Sequence, residues 1–178
     1  AQFHFISRGP VLLRMVSGKR LMLQSGDALF IPNGDGHVLL SDDQAAVVNV
    51  SRLPSEPVCD SVSCVKNACD DAKNDSAIIF SACMDFELGG MQPLVKAMPE
   101  VMMVSSLLTS RPEIPPMLAA MERESLTRQA GYAGILARLA DVVAALIVRG
   151  WVECGCGNAT GWVQVLRDPK LAKAIYVM

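Results

Sequence analysis

The chain has 178 residues, with 16 Lys and Arg against 18 Asp and Glu, and a formal net charge of −2 at pH 7. Such a balance argues against a nucleic-acid-binding surface, because those surfaces carry a clear excess of basic residues. Hydrophobic residues make up 51% of the chain, yet no apolar run approaches the roughly 20 residues that a membrane helix needs. We therefore expect one medium domain with an appendage, which makes no contact with a membrane.

The first third of the chain alternates short apolar runs with turn signals. Turns are predicted at SGK, SGD and NGDG, and strands at FHFISRG, VLLRMV, RLMLQ, ALFIP, HVLL and AAVVNVSRL. Turn signals at this regular spacing, with no helix between the strands, are typical of an antiparallel sandwich or barrel. A long surface loop is predicted over residues 54–76. A strand at AIIFSACMDFEL, a short helix ending near Pro99 and a last strand are predicted after it.

The periodicity becomes helical from Pro112 onward. It predicts one helix in PEIPPMLAAMERESLTRQ and a second in GYAGILARLADVVAALIVRGWVE. The second is apolar around so much of its circumference that we expect it to be covered on two sides. The sequence leaves open whether this stripe belongs to the core alone or also forms a homodimer interface, and the hydrophobicity favours the dimer. The residues assigned to the interface are Ile135, Leu139, Val142 and Leu146.

One spacing carries a resemblance to a known family. The spacing Gly26-x5-Pro32-x-Gly34-x2-His37 matches the second conserved motif of cupins, although Ser41 stands where that motif has Asn. FHFISRGPVLLRM and SGDALFIPNGDGHVL together resemble the N-terminal cupin domain of AraC-type transcription regulators. The later segments PLVKAMPEVMMV, ILARLADVVAALIVRGWVE and GWVQVLRDPKLAKAI resemble the helical part and linker of the same family.

This resemblance implies three regions. They are a cupin-type antiparallel β-barrel (a double-stranded β-helix) over residues 1–108, a helical dimerisation segment over 109–153, and a linker with a first helix over 154–178. The chain stops inside that helix, so we expect a fragment whose helix-turn-helix domain is absent. DNA would be contacted only through that domain, and a small-molecule effector would act on the barrel.

Two histidines and three apolar residues are the candidates for binding that effector. His4 and Ile6 should face the barrel interior together, because alternate residues of a strand share one face. A cupin metal needs two or three histidines with a carboxylate, and the chain has no His-x-His, so a structural, hydrogen-bonded His37 is favoured. A metal-dependent cupin enzyme is the less favoured alternative, and we expect no enzymatic activity. The candidates are His4, Ile6, His37, Met84 and Phe86.

The six cysteines leave three interpretations open. C-x4-C-x4-C in the long loop is not a standard zinc spacing, yet the loop thiols could hold zinc or another soft metal, act in a redox switch, or be incidental. No signal-peptide pattern opens the chain, so reduced thiols and a cytoplasmic location are expected. Cys83 should be buried on a barrel strand, in a region where Ser81-Ala82 replaces the Cys-Gly of many relatives. The candidates are Cys59, Cys64, Cys69, Cys83, Cys154 and Cys156.

Overall fold

The computed structural model describes residues 1–59, 62–65, 76–84, 98–107 and 111–154. These residues form nine strands in three sheets, followed by two helices. The strands are β1 (Gln2–Arg8), β2 (Val11–Met15), β3 (Arg20–Leu23), β4 (Ala28–Ile31), β5 (His37–Leu40), β6 (Ser55–Cys59), β7 (Val62–Val65), β8 (Ile78–Cys83) and β9 (Met102–Met103). The helices are α1 (Ile114–Thr127) and α2 (Tyr132–Cys154).

Two antiparallel sheets face each other. The first has the strand order β8-β1-β4-β9 and the second has the order β3-β2-β5. Both contribute to one inner core, in which Ile6 and Ile31 of the first sheet pack with Leu13 and Met15 of the second. The predicted antiparallel fold is confirmed for these strands. The closure of the sheets into a barrel stays a prediction.

The first sheet is buried on both of its faces. Phe3 and Phe5 on β1 belong to a second, outer core together with Phe30 on β4, whereas Ile6 points to the inner core. This double coverage explains why β1 and β4 are buried almost throughout rather than alternating between buried and exposed residues. The helices supply the outer cover.

The two helices lie where the periodicity predicts them. Two prolines follow Ile114 in the first turn of α1, where a missing backbone N–H costs no hydrogen bond. Arg128 ends α1 in a left-handed conformation, and its N–H donates to the carbonyl of Glu124. Among the described residues, no helix is both long and apolar enough to cross a bilayer. Buried positions of α2 recur every three or four residues toward the sheet: Leu136, Ala140, Val143 and Ile147.

Two local predictions are wrong. The stretch 45–53 was expected to be a strand, but it contains a 3-10 turn at Val50–Arg52, where the Asn49 side chain accepts a hydrogen bond from the Ser51 N–H. This local capping bond competes with strand pairing, although the stretch is rich in valine. The expected loop 54–76 contains a hairpin instead, because β6 pairs with β7 as a separate two-stranded sheet. The short helix near Pro99 and the C-terminal helix lie outside the described residues, apart from residues 98–99.

Candidate functional site

A tight turn positions His37 at the start of β5. Gly34 has a φ of +66°, a left-handed conformation that glycine adopts without strain, and its N–H donates to the carbonyl of Ile31. The carbonyl of Gly36 then accepts from the N–H of Val16, which ties the end of the turn to the second sheet. The motif therefore sets the direction in which the His37 ring leaves the backbone.

His37 lies directly against His4. The two Nε2 atoms are 2.9 Å apart, and the ring centroids are separated by 4.9 Å at an interplanar angle of 70°. His4 stands on β1 opposite Ser81 of β8, and its Nδ1 is 2.8 Å from the Ser81 hydroxyl. The Nδ1 of His37 is 2.9 Å from the carbonyl oxygen of Asp35. Both histidines of the chain thus belong to one hydrogen-bonded cluster, which we call the histidine pair.

The partners assign a direction to every bond of the histidine pair. A carbonyl oxygen can only accept, so the Nδ1–H of His37 donates to Asp35. In the neutral His37 ring, Nε2 then carries the lone pair and accepts from the Nε2–H of His4. The Nδ1 of His4 is left as an acceptor, so the hydroxyl of Ser81 donates to it. The result is a chain of bonds that all run from Ser81 toward Asp35.

The position of His4 keeps its ring neutral. Only 5% of the residue is exposed. Burial, and to a smaller extent the neighbouring His37, lower the pKa of His4 from 6.5 to about 4. Desolvation disfavours the imidazolium, and a second positive ring in contact would be repelled. His4 is therefore uncharged at neutral pH.

The described residues do not fit the metal centre that cupins are known for. Two imidazole nitrogens on one tetrahedral ion, with bonds of about 2.0–2.1 Å, lie about 3.3 Å apart, whereas here they share a hydrogen bond at 2.9 Å. Within the described ranges, no group of three or more His, Cys, Asp or Glu side chains is placed to hold a metal. The histidine pair is a proton-sharing contact in this structure.

The remaining predicted ligand-binding residues do not gather around the histidine pair. Ile6 follows His4 on the same face of β1, but it is fully buried in the inner core. Met84 lies in the outer core with Phe3 and Phe5. Phe86 is outside the described residues. The binding role of these residues stays a prediction.

The cysteines are scattered, and one expectation about them is wrong. Cys83 ends β8 as predicted, but it is exposed rather than buried, and it lies opposite Gln2 in the last pair of β1 and β8. Cys64 lies on β7, is partly buried and has a free thiol, as does Cys83. Cys59 ends β6 and Cys154 ends α2. Cys69 and Cys156 lie outside the described residues.

The predicted interface stripe on α2 divides into two parts. Ile135 and Val142 are exposed by 44% and 45%, and with the half-buried Leu139 they line a shallow, almost wholly apolar groove. Gly131 and Gly134 deepen this groove because they carry no side chain. Leu146 is only 8% exposed and packs in the outer core. We call the exposed part, formed by Ile135, Leu139 and Val142, the α2 groove.

Sequence reasoning missed two polar contacts. Ser81 entered only as a departure from the family pattern, although it is the hydroxyl that bonds His4. The buried hydroxyls of Ser7 on β1 and Ser125 on α1 are 2.5 Å apart. The two residues of the first contact are 77 positions apart in the chain, and those of the second are 118 positions apart. No local pattern signals such a distant pair.

The comparisons with known proteins give one match. A family model described as Cupin covers residues 1–153. No curated protein and no solved structure matches the chain. The matched region contains both facing sheets, the histidine pair and nearly all of α2. The chain, with its paired antiparallel sheets and the Gly26-to-His37 motif that contains β4, belongs to the cupin family.

Proposed function

We propose that this chain is the effector-sensing and dimerisation domain of an AraC-type transcription regulator, and that it is not an enzyme. The facing sheets would receive a small-molecule effector near the histidine pair, and α2 would join two copies in the cytoplasm. Each copy would then carry a DNA-binding domain, and DNA would be contacted only there. Membership of the cupin family and the resemblance of the helical segments to the regulators support this role.

The observation that carries the proposal is the two-sided hydrophobicity of α2. One side of the helix is buried against the first sheet, with Val143 and Ile147 fully enclosed. The other side presents the α2 groove to solvent. Exposed apolar surface of this kind normally marks a contact site. A second copy that applies its own α2 groove in a two-fold arrangement would cover both at once.

The test is the oligomeric state of variants in the α2 groove. Sedimentation velocity on the purified chain at high micromolar concentration should show a dimer. Val142→Asp should give a monomer, because a carboxylate would be buried without a partner in the interface. The matched control is Leu126→Asp on α1, which alters a comparably exposed apolar residue outside the groove and should leave the dimer intact. A monomeric parent chain would refute the dimerisation role.

A second experiment addresses regulation itself. Fusion of the chain to a DNA-binding domain that represses only as a dimer should restore repression of a reporter gene. The Val142→Asp fusion should not repress, whereas the Leu126→Asp fusion should. Repression by all three fusions, or by none, would contradict the assignment.

A cysteine-based redox or metal sensor of the same regulator class is the second candidate. The exposed thiol of Cys83 favours it, because Cys83 lies two residues along β8 from Ser81, the partner of His4. Thiol titration before and after mild peroxide, with mass-spectrometric mapping of any disulfide, tests it. An unchanged thiol count would exclude the redox form, and binding of less than one equivalent of zinc would exclude the metal form.

A further inference from the structure

We propose that the open end of the facing sheets binds an uncharged small molecule that donates a hydrogen bond, from a hydroxyl or amide N–H, to the Ser81 hydroxyl oxygen. This inference rests on the proposed function, since it names the chemical class of the effector. It follows from the direction of the bonds in the histidine pair.

Ser81 can offer only lone pairs to a ligand. Its hydroxyl proton is given to the Nδ1 of His4, because the bond from His37 to the Asp35 carbonyl fixes both rings. A hydroxyl that has donated its proton keeps acceptor capacity. Ser81 is exposed, so this capacity is accessible from solvent. A group that donates a hydrogen bond is therefore the complementary partner, and a carboxylate would place acceptor against acceptor.

The neighbouring pairs give the site a polar end and an apolar end. His4 pairs with Ser81, Gln2 pairs with Cys83 toward the exposed end, and Ile6 pairs with Ile79 toward the core. Directly opposed side chains in an antiparallel pair have Cβ atoms about 5 Å apart. A ligand of a few carbon atoms would therefore reach from the Ser81 oxygen toward these pairs. Within the described ranges, β1 and β8 carry one basic residue, Arg8, which pairs with Ile78, three residues from Ser81.

The two histidines make the assignment directly measurable. In the purified chain, two-bond ¹H–¹⁵N correlation spectra contain imidazole signals from this pair alone, because no other histidine is present. At pH 7 they should report His4 as the Nε2–H form and His37 as the Nδ1–H form. Either ring in the opposite form would overturn the proposal.

The ligand class is tested with three probes that share one carbon skeleton: 1-butanol, butanamide and butyrate. At pH 7 the alcohol and the amide should shift the histidine signals at concentrations at least about tenfold lower than butyrate, the factor expected for one hydrogen bond. Ser81→Ala should abolish the difference between the probes, whereas the matched control Ser63→Ala on the separate β6–β7 hairpin should keep it.

Each result decides the matter. Butyrate binding as tightly as butanol at pH 7, or the absence of binding by all three probes, would overturn the ligand class. A difference between the probes that survives in Ser81→Ala would overturn it as well. None of these results affects dimerisation or repression by the fusion, so failure of this inference is distinguishable from failure of the proposed function.

Discussion

Replacement of His4 by glutamine should remove most of the acid sensitivity that the histidine pair gives to the fold. In the unfolded chain His4 has a pKa of 6.5, and in the folded chain burial and His37 lower this pKa to about 4. Between these values the unfolded chain binds more protons, so the free energy of unfolding falls as the pH falls. The stabilising contribution is fully present above pH 6.5 and is lost progressively toward pH 4.

The size of this effect follows from the two pKa values. Each tenfold change in proton affinity is worth about 1.4 kcal/mol, so the full loss below pH 4 is about 3 kcal/mol. Between pH 7 and pH 5 the same linkage gives about 2 kcal/mol. This loss is a large share of the stability of an ordinary domain, which is about 5–15 kcal/mol.

The assay is urea unfolding of the wild type and His4→Gln at pH 7, 6 and 5. The glutamine side chain can still bond Ser81 and His37, but it does not titrate. The wild type should lose about 2 kcal/mol more than the variant between pH 7 and pH 5. His37→Gln serves as the control, because burial, the larger cause of the lowered pKa of His4, remains in that variant. Equal losses in the wild type and His4→Gln would refute the reasoning.

Two further predictions concern the contacts of the helices. Ser125→Ala should lower the free energy of unfolding by about 1–2 kcal/mol, because it leaves the buried Ser7 hydroxyl without its partner. Ser7→Ala should lower it by less, because the Ser125 hydroxyl still donates to the carbonyl of Glu122. The double variant should lose less than the sum, which a double-mutant cycle from urea unfolding measures, and strict additivity would contradict the contact. Arg111, only 14% exposed in its side chain, pairs with the Glu113 and Glu153 carboxylates across the ends of α1 and α2. Arg111→Ala should lower the melting temperature, whereas the 86% exposed Arg138 should be replaceable by alanine without measurable change.

The elements that local patterns define were predicted from the sequence. The turn glycines and alternating runs marked β1 to β5, and the 3.6-residue period marked α1 and α2, because each signal lies within a few residues of its cause. The prediction of a strand in the valine-rich stretch before the hairpin was wrong, because strand pairing depends on a partner that no local pattern reveals. The β-branched residues of this stretch favour a strand wherever a partner exists, but Val47, Val48 and Val50 are exposed without strand pairing, and Asn49 caps a turn there.

The candidate site could be predicted only in part. His4 and His37 stood out as the only histidines, but their contact depends on how the first sheet faces the second. The role of Ser81 depends on the register of β8 against β1, and a shift of one residue would place Ala82 or Phe80 opposite His4. Register between distant strands is a property of the assembled sheet. The apolar stripe on α2 likewise has an exposed part and a buried part, and only the packing of the helix shows which residues belong to each.

Strand β1 contacts the candidate site with one of its faces and the helices with the other. His4 faces His37, while its neighbours Phe3 and Phe5 on the opposite face of β1 are fully buried in the outer core with α1 and α2. Ser7, two residues beyond Phe5, bonds directly to α1. A close-packed interior has no free volume to absorb a displaced strand. A ligand that moves β1 at His4 must therefore move the helical layer that it contacts, and α2 carries the exposed groove on the far side of that layer.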